Sequence, residues 1–384
     1  MYKKHYQRFL SARPGILHCS PHSHYYWPDV TREAQLEYWD DSARLADDKW
    51  ERIFEEKVPA VQRLIAQRLN VSNPQQIVFA PNTHELVYRV LSSFDPSKTL
   101  RILTTDGEFH SFNRQSRRLE ERGNVEVTRI ATEPFATLPQ RWRDAVAAQA
   151  YDVIFISQVF FNSGVPSPDP QGWLDAVQDQ DTVIMIDGYH GFGAVPTDLG
   201  PYQDRVFYLA GAYKYGQSGE GACFALVPPG NKLRPEFTGW FADFESLAKP
   251  QEGPVGYAQD GFRFAGSTMD FTALYRLHAV LDWWQRDGLS DHKVHSYIQS
   301  LQKAFLQHID SLNHIDICRQ NLLCQDLNEH GHFFTFRLQS AERVQQLAAQ
   351  LKEQGVATDY RYDRLRFGFA LYHEAADYQQ IRFA

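Results

Sequence analysis

Five short apolar runs, spaced along one chain with helix-forming sequence between several of them, constrain this protein more than any other feature. They are 100-LRILTT-105, 125-VEVTRI-130, 152-DVIFISQVF-160, 182-TVIMID-187 and 206-VFYLAG-211. Runs this rich in Val, Ile and Phe suit strands buried on both faces. Helices are predicted over 84-HELVYRVLSSF-94, over roughly 111 to 122, and over 172-GWLDAVQ-178. Such alternation predicts an α/β fold with a mainly parallel sheet covered on both faces. Before the first of these runs, 76-QIVFAP-81 reads as a strand running into a turn. Asn82 or Thr83 then caps a helix with Glu85 in its first turn. The segment from 31 to 69 is helix-rich, and Pro59 divides two helices there.

Near residue 280 the character changes. Helical stretches at 271–288 and 291–312 lead to 332-HFFTFRLQ-339, a helix at 341–355, and 365-LRFGFA-370. This β-α-β tail predicts a smaller C-terminal domain. The expected organisation is an N-terminal segment, 1–50, packing on the small domain. A large domain would span 51–280 and the small domain 281–384. At 384 residues the chain is long enough for both cores.

Composition excludes several classes. A formal net charge of −8 argues against a nucleic-acid surface. The basic opening MYKKHYQRFLSARPG leads into no apolar segment of secretory type, and no run reaches the ~18 apolar residues of a membrane span. Cys19, Cys223, Cys318 and Cys324 form no CxxC pair, which points to a reducing compartment without structural zinc. A soluble cytoplasmic protein is expected.

In open α/β sheets, ligands bind beyond the carboxyl ends of the strands. Thr83, Ser157, Asp187, His190 and Lys214 stand at or near such ends. An aspartate at a strand end is also a common turn or cap residue, and most lysines are solvated. The combination says more than either alone. A buried lysine is driven toward its neutral, nucleophilic form. Beside a buried carboxylate and a phosphate cradle, it suits a Schiff base with pyridoxal phosphate.

The run 187-DGYHGFGAVPTDLG-200 followed by 213-YKYGQSGEGACF-224 resembles the cofactor-binding core of kynureninases. These belong to the aminotransferase class V branch of fold-type I pyridoxal phosphate enzymes. GWF at 239–241, AGST at 265–268 and LRFGFALY at 365–372 are similar to further stretches of that family, in consistent order from about Thr31 onward. The resemblance implies an aspartate aminotransferase-like fold, with Lys214 carrying the Schiff base and shuttling protons. It also implies that Asp187 pairs with the pyridine nitrogen and that Phe109 stacks on the ring. Asn82 and Thr83 would hold the phosphate at a helix N-terminus. Ser157 and His190 fall near the ring, Tyr213 and Trp240 near the phosphate, and Ser267 in a pair supplied by the neighbouring subunit of a homodimer with shared sites. Arg366 matches the arginine that clamps a substrate α-carboxylate. The partner the resemblance implies is a small-molecule amino-acid substrate, with no nucleic acid and no membrane.

Three departures stand beside the match. The family's G-N-S-L-G region reads 18-HCSPHSHYYWP-28. An aspartate is replaced by Phe112, and an arginine is missing from 160-FFNSG-164. His18, His22 and His24 could line a substrate pocket. They sit in an irregular segment, and no metal site is expected there. Kynureninase-like Cβ–Cγ cleavage leads the functional readings. An aminotransferase follows, then a cysteine desulfurase-like lyase, whose chemistry needs a poised thiol. A non-catalytic binding protein comes last. The sequence leaves open the substrate and the reaction branch that follows.

Overall fold

The computed structural model describes residues 1–248, 250 and 253–383. Its strands are β1 (Leu17–His18), β2 (Ile77–Ala80), β3 (Leu100–Thr105), β4 (Val125–Ile130), β5 (Val153–Ser157) and β6 (Val183–Asp187). They continue with β7 (Val206–Gly211), β8 (Cys223–Leu226), β9 (Phe333–Arg337), β10 (Val356–Ala357), β11 (Asp359–Arg361) and β12 (Arg364–Gly368). Seven of them form one sheet, in the order β2-β8-β7-β6-β5-β3-β4. The five apolar runs of the sequence are β3 to β7, and all pair in parallel. β8, which periodicity does not mark, is antiparallel to both β7 and β2. β2 therefore points the same way as the parallel set. The carboxyl ends of β2, β3, β5, β6 and β7 share one edge, and this geometry places the site.

Burial follows position in the sheet. Every residue of β5 and β7 is buried, whereas the edge strand β4 carries Glu126, Thr128 and Arg129 on partly exposed positions. The helix Thr83–Leu91 starts directly after β2, where the Asn82 side chain accepts the N–H of Glu85 at 2.9 Å. His110–Glu120 follows β3. The helix expected over 172–178 does not form. Two single turns, Pro170–Gly172 and Leu174–Ala176, stand in its place. Prolines 168 and 170 precede Gly172, and Trp173 turns inward to pack edge-on against Trp142 at 5.7 Å. That burial wins over a marginal helical stretch. Pro59 stands where the π-helical turn Arg52–Lys57 passes into the α-helix Val58–Leu69. An irregular helical connection separates that helix from Val30–Leu45.

The later chain forms a second, antiparallel sheet of order β11-β12-β9. Phe305, on the helix Asp291–Leu312, packs against Phe334, Phe336, Phe367, Phe369 and Tyr378. β1 pairs in parallel with β10, Leu17 opposite Val356. The Met1 amine meets Glu374 at 2.9 Å and Lys3 meets Asp377 at 2.6 Å. The N-terminal segment is thus tied to the C-terminal part of the chain by the β1–β10 pair and by Glu374 and Asp377, and it also folds on itself where Asp29 accepts the N–H groups of Gln7 and Arg8 at 3.1 and 3.0 Å.

Candidate active site

The shared strand edge opens into a cavity of about 160 Å³ lined by Asn82, Thr83, Phe109, Ser157, Asp187 and Lys214, among others. Each residue arrives by a short local route. Thr83 is the first residue of its helix, so its backbone N–H and those just after it have no partner within the helix. Asp187 closes β6, with Ser157 at the matching register of β5. Lys214 lies three residues beyond β7, in a turn followed by Gln217 and Gly219 at positive φ. Tyr213 and His190 complete the lining from the same two strand ends.

Lys214 is buried, and its Nζ stands 2.9 Å from His190 Nε2. The rings of Tyr189, Phe109 and Tyr213 surround the amine at 4.9, 5.2 and 5.6 Å. Burial lowers its pKa to about 7, despite the opposing pull of Asp187. Burial raises the Asp187 carboxyl above its usual range, against a 2.9 Å hydrogen bond from the Tyr189 N–H and the attraction of Lys214. His190 is held well below the ordinary imidazole range by burial, then by Lys214. Its Nε2 also lies 3.2 Å from the His22 carbonyl. A neutral imidazole can donate that N–H to the carbonyl, while the lysine amine lies beside the same nitrogen.

One residue beside this cavity carries a carboxyl that the motifs do not single out. Glu108 is buried, accepts hydrogen bonds from Thr105 at 2.6 Å and Ser157 at 2.5 Å, and has its pKa pushed up by burial to about 8. Its position between a strand end and Phe109 was the available signal. Phe112, where the resemblance expects an aspartate, stacks on Phe155 at 3.6 Å.

Arg366 lies apart from the strand ends, on β12. It is buried. Its Nη1 donates to the Phe161 carbonyl at 2.5 Å, its Nη2 to the Asp359 carboxylate. Phe161 lines the cavity. The charges of Arg366 and Asp359 both act on Lys214, which puts this pair within electrostatic reach of the amine. Asp359 was not anticipated, though its place in a short charged hairpin, 359-DYRYDRLRF-367, was readable.

The three histidines diverge. His18 Nδ1 lies 2.7 Å from the Tyr372 hydroxyl, away from Lys214's cavity. His24 stands 3.6 Å from Glu220. His22 alone reaches the Arg366 side, stacked on Phe333 at 4.5 Å with Nε2 3.6 Å from Asp359. Trp240 and Ser267 do not line the cavity. They lie together on the surface, where the Trp240 indole donates to Thr268 at 3.2 Å. None of the four cysteines lines it either. Cys19 and Cys223 are buried, and burial pushes the Cys223 thiol up to about 12.

Residues 28–360 match the family model described as aminotransferase class-V. Among solved structures, the chain superposes on a C-DES mutant with glycine covalently linked to the pyridoxal phosphate cofactor. The TM-score is 0.82 at 15% identity, over 98% of this chain and 96% of that one. It also superposes on the cystine C–S lyase C-DES in complex with its product cysteine persulfide, at TM-score 0.81 and 15% identity, over 96% and 97%. The cysteine desulfurase CsdA from Escherichia coli gives 0.75 at 16% identity, over 97% and 96%. No curated protein sequence matches the chain.

Proposed function

The chain belongs to the aminotransferase class-V family, and from that premise we propose that it is a lyase cleaving a carbon–sulfur bond of a small α-amino acid. The cofactor of the family is pyridoxal phosphate, and the fold matches structures that carry it covalently. The cavity residues fit that group. Thr83 and the backbone at Asn82 would take its phosphate at the helix start, with Tyr213 nearby. Asp187 would pair with the ring nitrogen, Phe109 would lie against one ring face, and Ser157 and His190 would border the ring. When bound, the cofactor supplies a carbonyl that condenses with amines and a protonated ring that draws electrons from a carbanion.

The chain's own residues supply the rest. Burial brings the Lys214 pKa down to about 7, so its unprotonated amine is accessible near neutral pH. It can therefore bond to a carbonyl and afterwards act as the base at the substrate's α-carbon. His190, at 2.9 Å, is placed to exchange a proton with it. Arg366 would orient the α-carboxylate. Asp187 stabilises positive charge on the ring.

The observation that carries this reading over the kynureninase-like one is the composition of the wall. Phe112 takes the place of the expected aspartate and stacks on Phe155 outside the lining, Asn162 takes the place of the expected arginine, and Phe161 adds an apolar ring to the lining, so the charged groups of a kynureninase-type wall are missing. No cysteine lines the cavity. That favours direct elimination of a sulfur group over transfer to a protein thiol, as in a desulfurase. It also agrees with a neighbour described as a cystine C–S lyase. Trp240 and Ser267, exposed beside each other, would serve a second copy's cofactor in a homodimer. Light scattering of the purified protein tests that association.

The deciding experiment offers the holoenzyme L-cystine, L-cysteine and L-kynurenine in parallel. Persulfide or sulfide with pyruvate supports the lyase. Cβ–Cγ cleavage of kynurenine would restore the kynureninase-like reading, and accumulation of pyridoxamine phosphate would make it an aminotransferase.

A further inference from the structure

The arginine expected to clamp a substrate carboxylate already faces a carboxylate of its own chain. Asp359 and Arg366 are register partners across β11 and β12, so the hairpin itself holds the two groups opposite each other. Arg366 Nη2 donates to Asp359 Oδ2, Nη1 is engaged by the Phe161 carbonyl, and the buried Nε has no hydrogen-bond partner among the described residues. A planar guanidinium offers five N–H donors, and a fork for a second carboxylate requires an adjacent pair of them. Two carboxylates on one buried cation repel each other at short range, in surroundings that screen charge poorly. Entry of one therefore favours departure of the other.

Asp359 has somewhere to go. Its Oδ1 already accepts from Arg361 Nη1 at 3.1 Å. His22 Nε2 lies 3.6 Å from Oδ2, just beyond hydrogen-bond length. A small rotation would exchange the Arg366 contact for the histidine. His22 is fully buried against Phe333 and is held there by the N-terminal segment. That gives the otherwise unassigned histidine of this segment a defined partner.

We propose that Asp359 is an internal stand-in for the substrate α-carboxylate, released from Arg366 toward His22 and Arg361 when an amino acid binds. This rests on the reading of Arg366 as the carboxylate clamp. The consequence is selective. A ligand with an α-carboxylate meets a clamp whose free fraction is small, and its apparent dissociation constant rises by the inverse of that fraction. An amine without a carboxylate is indifferent to the exchange.

Glycine and ethylamine are the probes, measured by equilibrium dialysis of labelled ligand against the holoenzyme. Asp359→Asn keeps the size but removes the competing charge. It should tighten glycine by about ten-fold or more and leave ethylamine within about two-fold. His22→Phe, which keeps the stack on Phe333 but offers no donor to the released carboxylate, should weaken glycine several-fold, and His22→Gln should restore it. Unchanged or weaker glycine binding in Asp359→Asn overturns the stand-in, as does an equal gain for ethylamine. Should Asp359→Asn fail to fold, the opposed pair at His22 decides alone. Arg366→Lys separates the two layers. If it leaves glycine binding unchanged, the clamp reading and the stand-in fall together. If it weakens glycine while Asp359→Asn brings no gain, only the stand-in falls.

Discussion

The two ends of the site are built differently. At the Lys214 end, Thr83, Glu108, Ser157, Asp187 and Lys214 each close a strand of one sheet or follow it by a few residues at most, so pairing within that sheet brings them together. At the Arg366 end, three distant pieces of chain must meet. These are residues 18–24, the turn after β5 that carries Phe161, and the β11–β12 hairpin. The first end depends on register within a sheet, the second on docking between layers. Chemistry placed on the former and selectivity on the latter can vary independently.

Four perturbations sharpen or break the contrast, in falling order of effect. Lys214→Ala should abolish turnover while leaving some noncovalent cofactor bound. Borohydride reduction of the wild type should fix the cofactor on the peptide containing Lys214, and label on another lysine would dissolve the cofactor end as described. Asp187→Asn should cost on the order of a thousand-fold in kcat, with a smaller loss of bound cofactor, because a ring without its counter-charge is a poor electron sink. Near-normal turnover would make Asp187 a turn residue.

Arg366→Lys acts at the other end. It keeps the charge and loses the planar fork, so kcat/KM for an α-carboxylate substrate should fall roughly ten- to a thousand-fold with cofactor content intact. Equal loss for an amine without the carboxylate would erase the division between the ends. The smallest effect concerns stability. Native Glu108 keeps its proton up to about pH 8, whereas the unfolded chain releases it near pH 4.5. Between those values the native state binds the extra proton, so its contribution to stability falls as pH rises, by about 1.4 kcal/mol per pH unit. Glu108→Gln should flatten that slope in urea unfolding at pH 5 to 8. Parallel slopes would mean that Glu108 titrates normally.

The same contrast explains what was readable. The five parallel strands announce themselves as apolar runs, and the residues that follow them stand out by their places in the chain alone. β8 does not, because 223-CFAL-226 is too short and follows a glycine-rich turn. The helix at 172–178 was overread because the pull of Trp173 into the core is a tertiary effect. Asp359 escaped notice because its role depends on a cross-strand partner seven residues away. His22 was singled out only as one of three, since nothing local separates it from His18 and His24.

The pairing of β1 with β10 has a consequence for how the molecule is made. Leu17 leaves the ribosome early, but its partner Val356 does not exist until nearly all of the chain has been synthesised. At 5 to 20 residues per second that delay is roughly 20 to 70 s. During this interval the seven-stranded sheet, complete by residue 226, can form around Lys214 and Asp187, while β1 still lacks its strand partner and His22 lacks Phe333 and Asp359. The nascent chain would thus be able to hold the cofactor before it could choose a substrate. A release-arrested chain ending before residue 356 should bind pyridoxal phosphate and fail to discriminate glycine from ethylamine.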